Sequence, residues 1–291
     1  MDAMILKLVL SLLTGMSGTF LNSSVVVVYF GLCRRMNDWY SYNAILLLIG
    51  LVNLFYQWCL MLDNIFKHYE IYEVFDQKLC LFIFSLQFTL VGVSLWNTTW
   101  LSMFYCARLV NSSHWLFVQI REKFLTFLPQ LMAGSVLWTV VITMPLFWTG
   151  RIEIYQNQTD SLDICRYNMS IYHVLLGPTL GFCISIPVTC LSIGLSLMTL
   201  VRHIYRMRKS HIMSPQLQGH FQAISVMIIR VLSEITFFAI IVIATFTSLS
   251  SNTIMNNIYW VNILVYPTSQ ALILIFGNPQ LKKKLCYCLP L

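Results

Sequence analysis

Seven stretches of this chain stay apolar for longer than the core helix of a soluble protein needs, and short polar segments separate them. They can be drawn at Met4–Cys33, Ser41–Leu62, Leu79–Val110, Phe124–Thr149, Val174–Val201, Ala223–Leu249 and Met255–Phe276. A helix crosses the hydrocarbon layer with about 20 residues, so the pattern predicts an all-α membrane protein, a seven-transmembrane helix bundle. The first stretch is too long for a signal-peptide core and has no small-residue cleavage site, so it is expected to stay as a helix. No repeat, low-complexity tract or long linker interrupts the series. Residues 1–291 are therefore expected to form one domain with a short tail, 277–291.

The third stretch organises the rest. Stepping back from Tyr105 by threes and fours gives Leu101, Thr98, Ser94, Val91, Gln87, Phe84 and Cys80, one face of a helix with a 3.6-residue period. Hydroxyls and an amide on one stripe of an otherwise lipid-compatible helix belong inside a bundle, where partners can satisfy them. This helix is expected to be central.

Composition changes the picture only by exclusion. With 58% hydrophobic and 10% charged residues in 291, the chain is not a soluble globule. Its net charge of +7 does not indicate nucleic acid, because the basic residues lie between apolar segments and are not interleaved with aromatics. Their distribution instead predicts orientation. One side carries Arg34, Arg35, Arg108, Arg121, Lys123, Arg202, Arg206, Arg208, Lys209, Lys282, Lys283 and Lys284. The other carries Lys7, Lys67, Lys78, Arg151 and Arg166, and with Arg230 inside a span these account for all eighteen. The richer side is read as cytoplasmic. The expectation is a multi-pass plasma-membrane protein with its N-terminus outside and C-terminus inside.

Outside, the loop from Gly150 to Tyr172 holds two N-glycosylation tripeptides, at Asn157 and Asn168. Cys80 and Cys165 also fall on this oxidising side. A disulfide between them is expected to tether the loop, the alternative being two unrelated small apolar residues. Cys286 and Cys288 follow the Lys282–Lys284 cluster and suit palmitoylation, or stand as plain juxtamembrane cysteines. No cysteine pair has metal-ligand spacing, so no metal or cofactor is expected.

The chain carries no GxSxG, HExxH, Walker or Rossmann motif, and an enzyme is not expected. A transporter would call for internal repeats and broken helices with midplane charges. Arg230 and Glu234 are the one strongly charged pair deep in a span, and no second half mirrors the first. A signalling receptor fits better.

The same residues carry a resemblance to the bitter taste receptors, the type 2 taste receptor family of G-protein-coupled receptors, over nearly the whole chain. Trp96, Thr99, Phe104, Tyr105, Arg108, Asn111 and Ser113 are similar to the family's third-helix run WxxTxxxxFYxxKxxNxS, with Arg for Lys. Thr199, Leu200, Arg202, His203 and Met207 resemble SLxKHxxxM. Ser214 to Ala223 resembles DPSTxAHxxA, and Tyr266 to Asn278 resembles YPxxHSxxLILGN. Neither DRY nor NPxxY is present. The chain departs from the family at Asn53, which replaces a buried Arg, and at Gln270 and Ala271, which replace His-Ser; it is identified as a divergent member.

The resemblance implies a receptor for small, mostly apolar bitter agonists entering from outside, coupled to a heterotrimeric G protein of the gustducin or inhibitory class. A vomeronasal type 1 receptor and a small transporter are the alternatives, and the oligomeric state stays open. It implies a polar hub of Asn22, Asn53 and Ser269, and a G-protein surface at Tyr105, Arg108, His203, Met207 and His220, which a plain solvated rim also explains. The candidate ligand pocket takes Trp58, Phe84, Gln87, Phe88, Val91, Glu234, Phe238, Tyr259 and Asn262, with Tyr266 facing the same space. Ordinary interhelical packing explains the third-helix aromatics equally. Glu234 is either one half of a structural ion pair with Arg230 or the floor of that pocket.

Overall fold

The structure is a computed structural model and describes residues 2–36, 42–69, 71, 77–110, 115–149, 151–153, 166–168, 171–208, 215–248, 253–278 and 281–282. Seven long helices follow in order: α1 Asp2–Met36, α2 Tyr42–His68, α3 Gln77–Leu109, α4 Trp115–Thr149, α5 Ile171–Arg208, α6 Pro215–Ser248 and α7 Thr253–Gly277. All seven are long and apolar enough to cross a membrane. Most run past the stretches drawn from hydropathy. α4 starts nine residues before Phe124, and α2 continues through Asp63 and Lys67 to His68. The apolar run ends where charge begins, but the i to i−4 backbone ladder has no reason to stop there. Between α4 and α5 a short antiparallel pair, β1 Arg151–Glu153 and β2 Arg166–Asn168, was not legible in the hydropathy; Ile152 stands opposite Tyr167.

The helices form a ring in chain order, closed by α1 against α7, and α3 runs through the middle against α2, α4, α5 and α6. Its central place follows from its polarity. Thr99 donates to the Ser185 carbonyl at 3.4 Å and accepts from Thr189 at 3.0 Å, both on α5. The indole of Trp100 donates to Ser135 on α4 at 3.2 Å, and Thr98 reaches α6. In hydrocarbon an unpaired polar group costs several kcal/mol, so a helix whose polar groups reach toward three neighbours takes the position among them. Hydroxyls on outward faces solve the same problem locally: those of Ser24, Thr199 and Thr236 each donate to the carbonyl four residues back.

The packed interior has three layers. At the end carrying Arg34, Arg35 and Arg108, the basic end, Val25, Ile45, Ile49, Leu101, Phe104 and Leu274 belong to the largest cluster. A middle layer gathers Tyr56, Val91, Leu95, Phe237, Ile241 and Tyr266. A small one at the opposite end holds Cys80, Leu81 and Ile83.

Candidate functional site

Above the middle layer, toward the end opposite the basic one, α2, α3, α4, α6 and α7 enclose a cavity of about 60 Å³. Phe84, Gln87, Phe88 and Val91 line it from α3, all but Phe88 on the predicted helical stripe, and Tyr259 lines it from α7. The rings of Phe84 and Phe88 lie 4.7 Å apart, tilted by 56°. Gln87 is the one amide on this wall, and its Nε2 is buried without a hydrogen-bond partner among the described residues. Gln87 lines an apolar cleft, and a buried donor without an acceptor beside such a cleft can orient a ligand that reaches it.

Several lining residues were not picked out from sequence. Tyr56, Leu95, Thr143, Phe237, Ile241 and Ile263 are among them. For α6 the spacing held the clue, since Phe237 and Ile241 continue the face begun by Arg230 and Glu234. For α2 the Trp58 assignment points the wrong way. Trp58 is 46% exposed and does not line the cavity, whereas Tyr56 is buried and does. Residues two positions apart on a helix are about 200° apart around its axis, so only one of the two faces inward.

Three further expectations shift. Phe238 packs beside the middle layer without lining the cavity, and Asn262 turns its Nδ2 to the Phe237 carbonyl, 3.3 Å away, on the outer side of the α6–α7 seam. Tyr266 lies beneath the cavity, its ring stacked on Phe237 at 4.1 Å and set edge-on to Tyr56 at 6.3 Å. Glu234, expected as the pocket floor, is one turn below Phe237 and does not reach the space; the floor is aromatic.

Glu234 instead binds α3 to α6. Its Oε1 accepts from the Thr98 hydroxyl at 2.6 Å and lies 3.5 Å from Nε of Arg230. Arg230 is fully buried, and none of its three nitrogens has a hydrogen-bond acceptor among the described residues. The ion pair is therefore a long one, with the carboxylate better served than the guanidinium. A second link, from Gln270 Nε2 to Ser233 Oγ at 3.3 Å, ties α7 to the neighbouring position of α6.

The hub of helices one, two and seven exists with different members. Asn22 is fully buried and donates to the carbonyls of Gly18 at 2.9 Å and Pro267 at 3.3 Å. Asn53 is buried, but its Nδ2 has no partner among the described residues, and Ser269 bonds back to Tyr266 in its own helix. The polar contact across is made one turn further on, where Thr268 donates to Oε1 of Gln57 at 3.2 Å. Gly18 makes room for it: a Cβ there would stand 2.5 Å from Gln57 Oε1 and 2.6 Å from Thr268 Oγ1. The i, i+4 pair Asn53 and Gln57 was the sequence signal for this stripe.

At the basic end Tyr105 is set edge-on to Tyr42 at 5.3 Å, and Tyr42 is linked by hydrogen bonds to Tyr105, Tyr29 and Asn278. Asn278 Nδ2 donates to the Tyr29 hydroxyl at 2.8 Å. Tyr105 thus joins α3 to α1, α2 and the end of α7. Arg108 is exposed, its guanidinium 4.9 Å from the Phe104 ring centroid. The backbones of His203 and Met207 lie at the end of α5 and that of His220 in the first turns of α6, but their side chains are outside what the structure describes. Cys80 is buried at the head of α3. Cys165, Asn157, Cys286 and Cys288 lie outside the described residues, and of Asn168 only the backbone, in β2, is described.

A seven-helix bundle with α3 through its axis, a cleft among α2, α3, α4, α6 and α7 and a basic opposite end defines a membrane receptor of the G-protein-coupled class. The family model for Taste receptor protein (TAS2R) matches residues 1–290, and the chain belongs to that family, the type 2 or bitter taste receptors. It is 25% identical over 293 residues to taste receptor type 2 member 1 of Chlorocebus aethiops, covering 96% of this chain and 94% of that one. It is 23% identical over 290 residues to taste receptor type 2 member 40 of Gallus gallus, covering 96% and 92%. Against taste receptor type 2 member 41 of Mus musculus it is 28% identical over 209 residues, 68% of each chain.

Proposed function

We propose that this bitter taste receptor takes small, mostly apolar organic agonists from the extracellular side into the cleft above Phe237 and Tyr266, and couples their binding to a heterotrimeric G protein of the gustducin or inhibitory class. The observation that carries the reading is the Gln87 amide, buried on an apolar and aromatic wall with its Nε2 unpartnered. An agonist bearing a carbonyl, ether or other acceptor satisfies that donor, and its apolar body fills the space between Phe84, Phe88 and Tyr259.

The cleft is smaller than the several hundred Å³ typical of ligand sites, so binding parts α6 and α7 from α3. That couples the cleft to the opposite end. The Phe237 and Tyr266 rings are its floor, and Glu234 and Arg230 follow on the same face of α6. An agonist that prefers the wider arrangement shifts an existing equilibrium toward it. The ends of α5 and α6, with Arg108 and Tyr105 of α3, then form the surface that meets the G protein. The N-terminus is outside in this reading, as the loop charges imply.

The test is agonist-evoked signalling. Cells expressing the chain with a chimeric G protein are screened against bitter compounds, and vesicles are assayed for uptake of each active compound. Evoked signalling without uptake supports the reading. Uptake without signalling would make the chain a carrier and remove the proposal.

A further inference from the structure

Two side chains meet one oxygen in the middle of the bundle. The Thr98 hydroxyl of α3 donates to Oε1 of Glu234 on α6 at 2.6 Å, and Nε of Arg230, one turn away on α6, lies 3.5 Å from the same atom. The contact between the helices is short, while the contact within α6 is longer than a good charge-assisted hydrogen bond. Arg230 is fully buried, and none of its three nitrogens has an acceptor among the described residues. The guanidinium is thus held inside the bundle beside a counter-ion that is turned toward α3.

Both ends of the short bond have another partner in their own helix. The Thr98 hydroxyl also reaches the Ser94 carbonyl, one turn back in α3, at 3.2 Å, the local bond that a threonine makes inside a helix. Glu234 has Arg230 at i, i+4 spacing on α6. When α6 withdraws from α3, the hydroxyl settles on Ser94 and the carboxylate closes on the guanidinium. Neither group is then left unpaired in the membrane interior, where an unpaired polar group is costly. What Arg230 lacks while the helices are together, it gains when they part. One charge-assisted contact replaces another, which is what an element with two arrangements of similar free energy requires.

We infer that Glu234 is a partner-exchange latch: it holds α6 to α3 through Thr98 in the closed arrangement and turns to Arg230 when α6 withdraws. The inference rests on the reading of the cleft given above, in which agonist binding parts α6 from α3. The latch stands one turn below Phe237, between the aromatic floor of the cleft and the basic end. It therefore sets how readily the basic end of α6 leaves the bundle, with Thr98 and Arg230 pulling the same oxygen in opposite directions.

The experiment measures amide hydrogen exchange by mass spectrometry on the full chain in phosphatidylcholine nanodiscs, with no agonist or G protein present. Thr98→Val removes the donor and keeps the shape of the side chain. Peptides from residues 215–231 of α6 should then exchange about tenfold faster relative to α1 peptides, the factor that a hydrogen bond to a charged group supplies. Thr98→Ser, which keeps the hydroxyl, should bring the rate back. Arg230→Met removes the competitor for Oε1 and should slow exchange in the same α6 peptides relative to α1. Thr98→Ala and Arg230→Leu serve where a first variant does not fold. An ion pair that is only structural would loosen α6 in both variants, so shifts of the same sign would overturn the proposal. So would exchange in α6 that changes no more than in α1. Because the measurement needs no signalling, opposite shifts in a receptor that answers no agonist would keep the latch and remove only the agonist reading, and a receptor that answers agonists without opposite shifts would do the reverse.

Discussion

Removing the Glu234 carboxylate should be among the most damaging single changes in the bundle. The group serves two neighbours, accepting the Thr98 hydroxyl at 2.6 Å and sitting 3.5 Å from Nε of a guanidinium that is wholly buried. In Glu234→Ala the guanidinium loses its counter-ion while remaining in the membrane interior, and breaking one side of a buried pair costs about 3–5 kcal/mol. That is a large share of the roughly 5–15 kcal/mol by which folded domains are stable. At about 2–4 °C per kcal/mol for a chain of this order of size, melting in detergent should fall by about 10 °C, with surface expression falling too. Arg230→Met should cost less, because a carboxyl can take up a proton and keep its bond to Thr98. The double variant Arg230→Met/Glu234→Met removes both charges and fills the space with apolar side chains. Its melting should return close to the starting value, since paired charges replaced by packed hydrophobes are often neutral or better. The assay is size-exclusion of a fluorescently tagged receptor after heating. If Glu234→Ala melts within about 2 °C of the unaltered receptor, or if the double variant is as unstable as the single one, the buried guanidinium is not held by this carboxylate.

Other consequences can be checked independently. Gly18→Val should weaken the junction of α1, α2 and α7 by about 1–3 kcal/mol of overpacking, because its side chain meets Gln57 and Thr268 at the bond joining them; lowered melting with an unshifted agonist midpoint is expected, and full stability would show that the helices do not approach here as described. An epitope tag after Asp2 should stain intact cells and one after Leu291 should not, the reverse pattern overturning the orientation taken from loop charge. Mass spectrometry of unreduced digests should find the Cys80 and Cys165 peptides joined; free alkylation of both thiols in folded surface receptor would exclude the bridge.

Much of this architecture is legible in the sequence because a bilayer leaves few choices. Apolar runs of sufficient length must be helices, and the stripe from Cys80 to Leu101 had to face inward because its hydroxyls have nowhere else to go. Of the four cleft residues predicted on α3, Phe84, Gln87 and Val91 followed from that periodicity, and Phe88 stands beside the stripe. What periodicity cannot supply is rotation relative to a neighbour. Trp58 and Tyr56 are both large aromatics, and only the packing of α2 against its neighbours decides which of them turns inward. The same holds for Asn262, whose amide closes the α6–α7 seam instead of lining the cleft. Depth misled in one place: Glu234 lies near the middle of the 222–244 span, yet Phe237 and Tyr266 stack above it and separate it from the ligand space. The hub shifted from Asn53 and Ser269 to Gln57 and Thr268 because a glycine on α1 lets two side chains meet there, a pairing that no single helix encodes.

The response of a cleft-filling variant tests most directly whether agonists bind in the cleft. Val91 is buried on the α3 wall, and a Phe in its place occupies space that an agonist needs. In cells carrying a chimeric G protein, the unaltered receptor should give a calcium response to at least one bitter compound. Val91→Phe, at equal surface expression, should shift the midpoint of that response by tenfold or more, which corresponds to about 1.4 kcal/mol of lost binding. A response of unchanged midpoint in the filled variant would place the agonist elsewhere and contradict the assignment of the cleft.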